Sequence, residues 1–258
     1  MNPTDPVRCG WCSDDPVYQR YHDEEWGVPC RDAGSLFEML MLEGFQAGLS
    51  WITVLRKREH YRQVYRDFDI AFMANQSDDE LHALLQDPGI IRNRLKVYGA
   101  RRNARAWQRL CAEQDPVDWL WQFVGGQPLI RHAVTLSEIP AQTAEAKAMS
   151  KALQKANFTF VGPTICYAFM QATGMVMDHT PIATATRPWL QADPGSRPAR
   201  PCSLQWPLIH CSEHCRGAVE RRPHRWISQA VCPVALWRRA ASWRVRGLAD
   251  VEAAEPLA

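Results

Sequence analysis

From Ser35 to Leu55 the chain reads SLFEMLMLEGFQAGLSWITVL, and between Leu36 and Leu49 apolar side chains fall on nearly every side of a helical projection. That pattern predicts a helix buried in the middle of a domain rather than one lying on its surface. Ser35, with Glu38 three residues on, has the form of a capping box and predicts where the helix starts. One carboxylate, Glu43, stands inside the apolar run, flanked by Gly44, Gln46 and Gly48 and followed by Trp51. A buried acid is expensive unless a partner or a ligand satisfies it. Glu43 therefore reads either as half of an ion pair or helix cap, or as the centre of a site where Gly44 and Gly48 let a ligand or another backbone come close.

The flanking pattern is also helical. Arg56 to Arg66 reads as an exposed basic helix surface, Asp69 to Ala74 as the start of another turn, and Asp78 to Gln86 as a helix. Pro88-Gly89 breaks it, and a new helix starts near Asn93, with Arg92, Arg94, Lys96, Arg101 and Arg102 close by. A helix, a glycine hairpin and a helix point backbone N–H groups and a helix N-terminus at one place, which suits a phosphate. An ordinary turn between helices with solvated arginines is the other reading. Thr143 to Asn157 is amphipathic, with Lys147, Lys151 and Lys155 on one face, and residues 158–179 form a buried apolar helix ending at Gly174, followed by Asp178 and His179. Strand signals are few, so the fold class is all-α.

Ahead of this lies CGWCSDDPVYQRYHDEEWGVPC, residues 9–30. Its Trp11, Tyr18, Tyr21 and Trp26 would be unusual on a bare surface, so they pack together or line something. Cys9 and Cys12 form a C-x-x-C with His22 downstream, a spacing open both to metal binding and to coincidence. Composition adds little for most of the chain: 46% hydrophobic and 22% charged residues support an ordinary core. The net charge of +2 is unevenly spread. Residues 1–179 hold 19 Lys+Arg against 22 Asp+Glu, whereas residues 180–258 hold 11 Arg, no Lys and 6 acids. An acidic front does not exclude a nucleic-acid protein, which needs only a local basic strip. No run approaches a membrane span and the start has no apolar signal region, which predicts a cytoplasmic protein with no membrane partner. Nine cysteines are then expected as thiols or metal ligands rather than disulfides.

Four stretches together resemble the 3-methyladenine DNA glycosylase I family of the helix-hairpin-helix superfamily: CGW…Y-x-x-YHDEEWGVP at 9–29, LFEML-x-LEGFQAGLSWITVL-x-KRE at 36–59, PGIIRNR-x-K at 88–96 and FVGPTICYAFMQATGMVMDH at 160–179. The resemblance implies a glycosylase domain over residues 1–179, with a helix-hairpin-helix near 84–105 and a zinc-clipped lobe joining the N-terminal segment to the end of the last family helix. It implies a monomeric bacterial repair enzyme, nucleoid-associated while acting on double-stranded DNA that contains alkylated bases. The enzyme would flip 3-methyladenine into a pocket and hydrolyse its N-glycosidic bond. Carried onto this chain, Glu43 matches the base-recognising carboxylate, and Trp11, Tyr18, Tyr21 and Trp51 the aromatic pocket. Gly89, Ile90, Arg92, Arg94 and Lys96 match the hairpin that grips the DNA backbone. Cys9, His22 and His179 match three ligands of the family's structural Zn2+.

The resemblance stops at Thr180. The fourth zinc ligand is expected four residues after His179, where Ala183 stands. Read one base earlier, codons for Ile182 to Trp189 can spell Asp-Cys-Tyr-Arg-Tyr-Ala-Ala-Val, which would restore that cysteine. The tail's 11 Arg, 9 Pro and 5 Trp, without Lys, Met, Phe, Tyr or Asn, agree with a shifted reading frame in a GC-rich gene. Residues 180–258 are accordingly expected to be a poorly ordered, non-homologous extension. The alternative function is a degenerate protein that binds DNA or damaged bases but has lost turnover with its fourth ligand.

Overall fold

In a computed structural model of the chain, the described residues are 7–131 and 135–179. The segment 180–258, with its Cys202, His210, Cys211, His214 and Cys215, lies outside them, as do the expectations about its order and its reading frame.

Among the described residues ten α-helices form: α1 (Pro16–Glu24), α2 (Ala33–Gln46), α3 (Trp51–Leu55), α4 (Arg58–Val64), α5 (Ile70–Asn75), α6 (Asp78–Leu84), α7 (Arg94–Glu113), α8 (Pro116–Trp121), α9 (Ala144–Lys155) and α10 (Pro163–Ala172). Apart from helices and turns, the described residues hold one pair of two-residue strands, β1 (Leu129–Ile130) and β2 (Val176–Met177), paired in parallel.

The apolar run around Glu43 becomes α2, buried from Ser35 to Phe45 and packed against α3, α7, α8 and α10. It starts earlier than the Ser35/Glu38 pattern suggests. Asp32 is the N-cap and accepts a hydrogen bond from the Ser35 amide at 2.8 Å. Glu38 is instead spent on a long-range ion pair with Arg62, whose Nε donates to Oε1 at 2.9 Å while Nη2 lies 2.8 Å from the same oxygen. The capping box occurs at α6, where Ser77 and Glu80 bond reciprocally. The expected basic surface of residues 56–66 is thus partly inside the protein. Arg58, 8% exposed, forks onto both carboxylate oxygens of Glu25 at 2.6 and 2.8 Å.

α7, the longest of the described helices, runs from the turn after α6 into the core. Its buried stripe of Val97, Ala100, Ala104 and Trp107 runs at helical spacing. At the far end of the chain, α10 stops at Thr173 and Gly174 turns the backbone with φ +68°. A Cβ at Gly174 would sit 2.4 Å from the Pro29 backbone nitrogen and 2.5 Å from the Val28 carbonyl carbon. Both faults fall on backbone that cannot swing away, so Gly174→Ala is expected to destabilise the domain by about 3 kcal/mol. Denaturant melts of the two proteins measure this directly. Equal midpoints would show that residues 28–29 give way.

Candidate functional site

Glu43 ends up 3% exposed, on the core-facing side of α2. It opens onto a cavity of about 260 Å³ lined by aromatic rings from α1 and the turns on either side of it, by Trp51 at the start of α3 and by Ala168 and Gln171 of α10. Every pocket residue picked from the sequence lies here: Trp11, Tyr18, Tyr21 and Trp51 around Glu43. The rings brace one another. Trp11 stands 5.2 Å from Tyr18 and 4.9 Å, edge-on, from Trp26, and Tyr21 lies 5.3 Å from Trp51. Trp26, Gln46, Leu136, Ile139 and Gln171 complete the lining. Of these, Trp26 and Gln46 carried a sequence signal, as members of the aromatic cluster and of the run around Glu43. The other three had none, because they arrive from remote segments.

The two glycines beside the carboxylate differ in what comes close to them. A Cβ at Gly44 would come within 3.3 Å of Phe160 Cβ, so this glycine lets the 160 segment pack on α2. Gly48 takes φ +78° in the turn between α2 and α3, with open space around it.

Electrostatically the cavity is lopsided. Burial lifts the Glu43 carboxyl to a pKa of about 8, and its Oε2 is buried without a hydrogen-bond partner. Burial also raises the phenols of Tyr18 and Tyr21, with Glu43 adding to both. The site therefore presents a neutral acid and neutral hydroxyls to an apolar, ring-walled space, and an incoming cation would meet a group ready to ionise.

The hairpin between α6 and α7 is clamped from behind by α4. His60 Nε2 lies 2.7 Å from Asp87 Oδ2, Lys57 Nζ donates to the Pro88 carbonyl at 2.8 Å, and the Ile91 amide donates to the Tyr61 hydroxyl at 2.9 Å. Asp87 also accepts from the Gly89 amide at 2.7 Å, and Ile90 is buried beneath the turn. Arg92 and Arg94 are exposed at the mouth of α7. Lys96, expected at the DNA backbone with them, points inward. It is 6% exposed and its ammonium donates to the Phe45 and Ala47 carbonyls, both at 2.7 Å. It caps the C-terminal end of α2 just beyond Glu43, where unpaired carbonyls and the helix dipole favour a cation. Gly89 and Ile90 shape the turn, and the exposed positive charge of the hairpin rests on Arg92 and Arg94.

Cys9, His22 and His179 meet below the aromatic wall, their ligand atoms within 4.8 Å of one another and all three residues buried. Each imidazole is oriented by its second nitrogen. His22 Nδ1 lies 2.9 Å from Asp23 Oδ1, which turns its Nε2 toward Cys9. His179 Nε2 donates to the Trp26 carbonyl at 3.1 Å, leaving Nδ1 3.5 Å from Cys9 Sγ. One sulfur and two imidazoles, each held in place by its other ring nitrogen, are a donor set that fits a borderline-soft divalent metal. Cys12 does not join the cluster; its thiol donates to the Ser13 carbonyl at 3.6 Å. The cluster touches the pocket wall directly, with Trp11 edge-on to His22 at 5.1 Å and Trp26 edge-on to His179 at 4.5 Å.

Comparison with known proteins adds to this geometry. The family model described as methyladenine glycosylase matches residues 11–186. The chain is 54% identical over 173 residues to the DNA-3-methyladenine glycosylase 1 of Escherichia coli (strain K12), a match that covers 67% of this chain and 92% of that protein. It is similar to a crystal structure of 3-methyladenine DNA glycosylase I with a TM-score of 0.67 at 50% identity, covering 68% of this chain and 97% of that one. A single-residue variant of 3-methyladenine DNA glycosylase I in complex with 3-methyladenine matches with a TM-score of 0.66 at 30% identity, over 67% of this chain and 94% of that one.

Proposed function

Because the chain belongs to the methyladenine glycosylase family, we propose that it flips 3-methyladenine out of alkylated DNA into the aromatic cavity and hydrolyses its N-glycosidic bond. It is a DNA repair glycosylase, a hydrolase of N-glycosyl bonds acting in base excision repair. The observation that carries the reading is a single buried carboxyl, Glu43, facing a cavity walled by Trp11, Tyr18, Tyr21, Trp26 and Trp51.

Methylation at the 3-nitrogen leaves the base cationic while it is still attached to the sugar, so its glycosidic bond is already weak. Recognition then matters more than strong acid catalysis. Each ring face attracts the charged purine by roughly 0.5–2 kcal/mol. The same charge favours the ionised form of Glu43, so the carboxyl gives up its proton as the base enters. When the bond breaks, its electrons pass to the base, which leaves neutral. Water takes the vacated sugar carbon and loses a proton, and Glu43 recovers its own. No further catalytic carboxylate is required.

The α6–turn–α7 unit serves as the helix-hairpin-helix that grips the duplex backbone, with Arg92 and Arg94 on the phosphates and the α4 clamp keeping the turn rigid. Cys9, His22 and His179 hold a structural zinc, which supplies no chemistry to the reaction; its ligands brace Trp11 and Trp26. The protein works as a monomer in the bacterial cytoplasm, where its chromosomal substrate is.

Incubation of the purified chain with methylated DNA tests the reading, with release of free 3-methyladenine expected. A folded, zinc-supplemented protein that releases none would sink it. The arginines are tested by salt. Changing Arg92 and Arg94 together to Ala is expected to lower the slope of log affinity against log salt by about 2, at roughly 0.9 per phosphate contact. Lys96→Met is expected to leave that slope unaltered, because its ammonium is held by the Phe45 and Ala47 carbonyls. Fluorescence anisotropy with a labelled duplex reads all three proteins.

A further inference from the structure

Gln171 follows Ala168 by one turn of α10, and both line the cavity. Which end of the Gln171 amide faces inward is decided by its neighbours. Its Nε2 donates to Asp178 Oδ2 at 2.8 Å, and the Tyr167 hydroxyl donates to that same oxygen. Asp178 is 1% exposed. Burial, and the bond to Asp178, push the Tyr167 phenol above its ordinary range, so it remains a donor. With a phenol and an amide both donating, the Asp178 carboxyl is the acceptor. Turning the amide round would set oxygen against oxygen. Oε1 is the end that remains for the cavity.

A flipped base enters with its sugar behind it, so the edge bearing the glycosidic nitrogen faces the mouth. The opposite edge, around the 6-position, then points into the cavity, whose lining includes both Glu43 of α2 and Gln171 of α10. There adenine carries an amino donor, and guanine an oxo acceptor. We propose that Gln171 is a specificity-determining residue, its Oε1 accepting an N–H from the 6-amino group and so selecting adenine-type over guanine-type alkylated purines. The proposal rests on the glycosylase reading above. An amino group has two hydrogens, so Gln171 and Glu43 do not compete for one donor. A 6-oxo purine would place its oxygen against Oε1, leaving two acceptors unpaired in a dry site.

The test titrates the full chain with free 3-methyladenine and free 3-methylguanine, read by quenching of the cavity tryptophans, alongside a thermal melt. Gln171→Leu is expected to weaken 3-methyladenine binding on the order of tenfold and to leave 3-methylguanine equal or tighter, so that the ratio of the two affinities collapses. A general loosening of the fold would lower both together. If the leucine variant does not fold, Gln171→Met, which keeps the length without the amide, gives the same ratio. An unchanged ratio in a folded variant overturns the proposal and leaves the glycosylase reading standing. Failure of the unaltered chain to bind 3-methyladenine overturns both.

Discussion

Glu43→Gln is expected to cut release of 3-methyladenine from methylated DNA by about a hundredfold while making the ligand-free protein more stable. The loss follows from removing a charge-assisted contact in a dry cavity, worth roughly 1.5–3 kcal/mol, at about 1.4 kcal/mol per tenfold in rate. The gain follows from the raised carboxyl. Its pKa moves from 4.5 to about 8 on folding, so between those values the folded state holds a proton that the unfolded chain has lost. Stability from this group is fully present below pH 4.5 and declines as pH rises toward 8, by roughly 1.4 kcal/mol per pH unit. The glutamine variant lacks that decline. Melts of both proteins from pH 5 to 8 should diverge steadily; parallel curves would mean that Glu43 is ionised in the empty pocket and that its burial is balanced by a partner.

Arg58→Met carries the largest expected effect on folding, a loss of about 3–5 kcal/mol. Its guanidinium holds both oxygens of Glu25, a residue that is itself at the end of α1 and next to Trp26. Removing the arginine alone leaves a largely buried carboxylate with no countercharge, and releases the turn that carries one wall of the base pocket. For a domain of this size the midpoint is expected to fall by roughly 10 °C. The double variant with Glu25→Met should recover most of that, because two methionines need no desolvation to be offset. A double variant as unstable as the single one would show that the pair contributes more than mutual neutralisation.

Local pattern carried the helices and the heart of the site. An apolar run on nearly every side of the helical projection marked α2 as buried, although the Ser35/Glu38 pattern put its start three residues late, and an acid among Leu, Met and Phe marked Glu43 before any partner was visible. What the pattern could not carry was pairing across the chain. Arg58 and Arg62 look solvated in a basic stretch, and only folding brings Glu25 and Glu38 against them. Lys96 reads as a phosphate contact beside Arg92 and Arg94, yet helical phase turns it toward the end of α2, whose carbonyls come from about 50 residues earlier. Gln171 lies in an apolar helix with nothing nearby to announce a role; Asp178, beyond the turn, gives its amide a direction. Gly44 and Gly48 suggest close approach by a ligand or another backbone, and at Gly44 it is the 160 segment, contributed from far along the chain, that comes close.

The junction of Cys9 with His179 spans 170 residues. On the ribosome, α2 and its carboxyl are made early, but the imidazole that backs Trp26 is among the last parts of the domain to emerge. A nascent or prematurely terminated chain ending before residue 179 holds Glu43 and most of the rings, without the brace that completes their wall. The enzyme's competence is therefore tied to synthesis having passed residue 179, and a fragment that stops just short of it loses a strut of the aromatic wall.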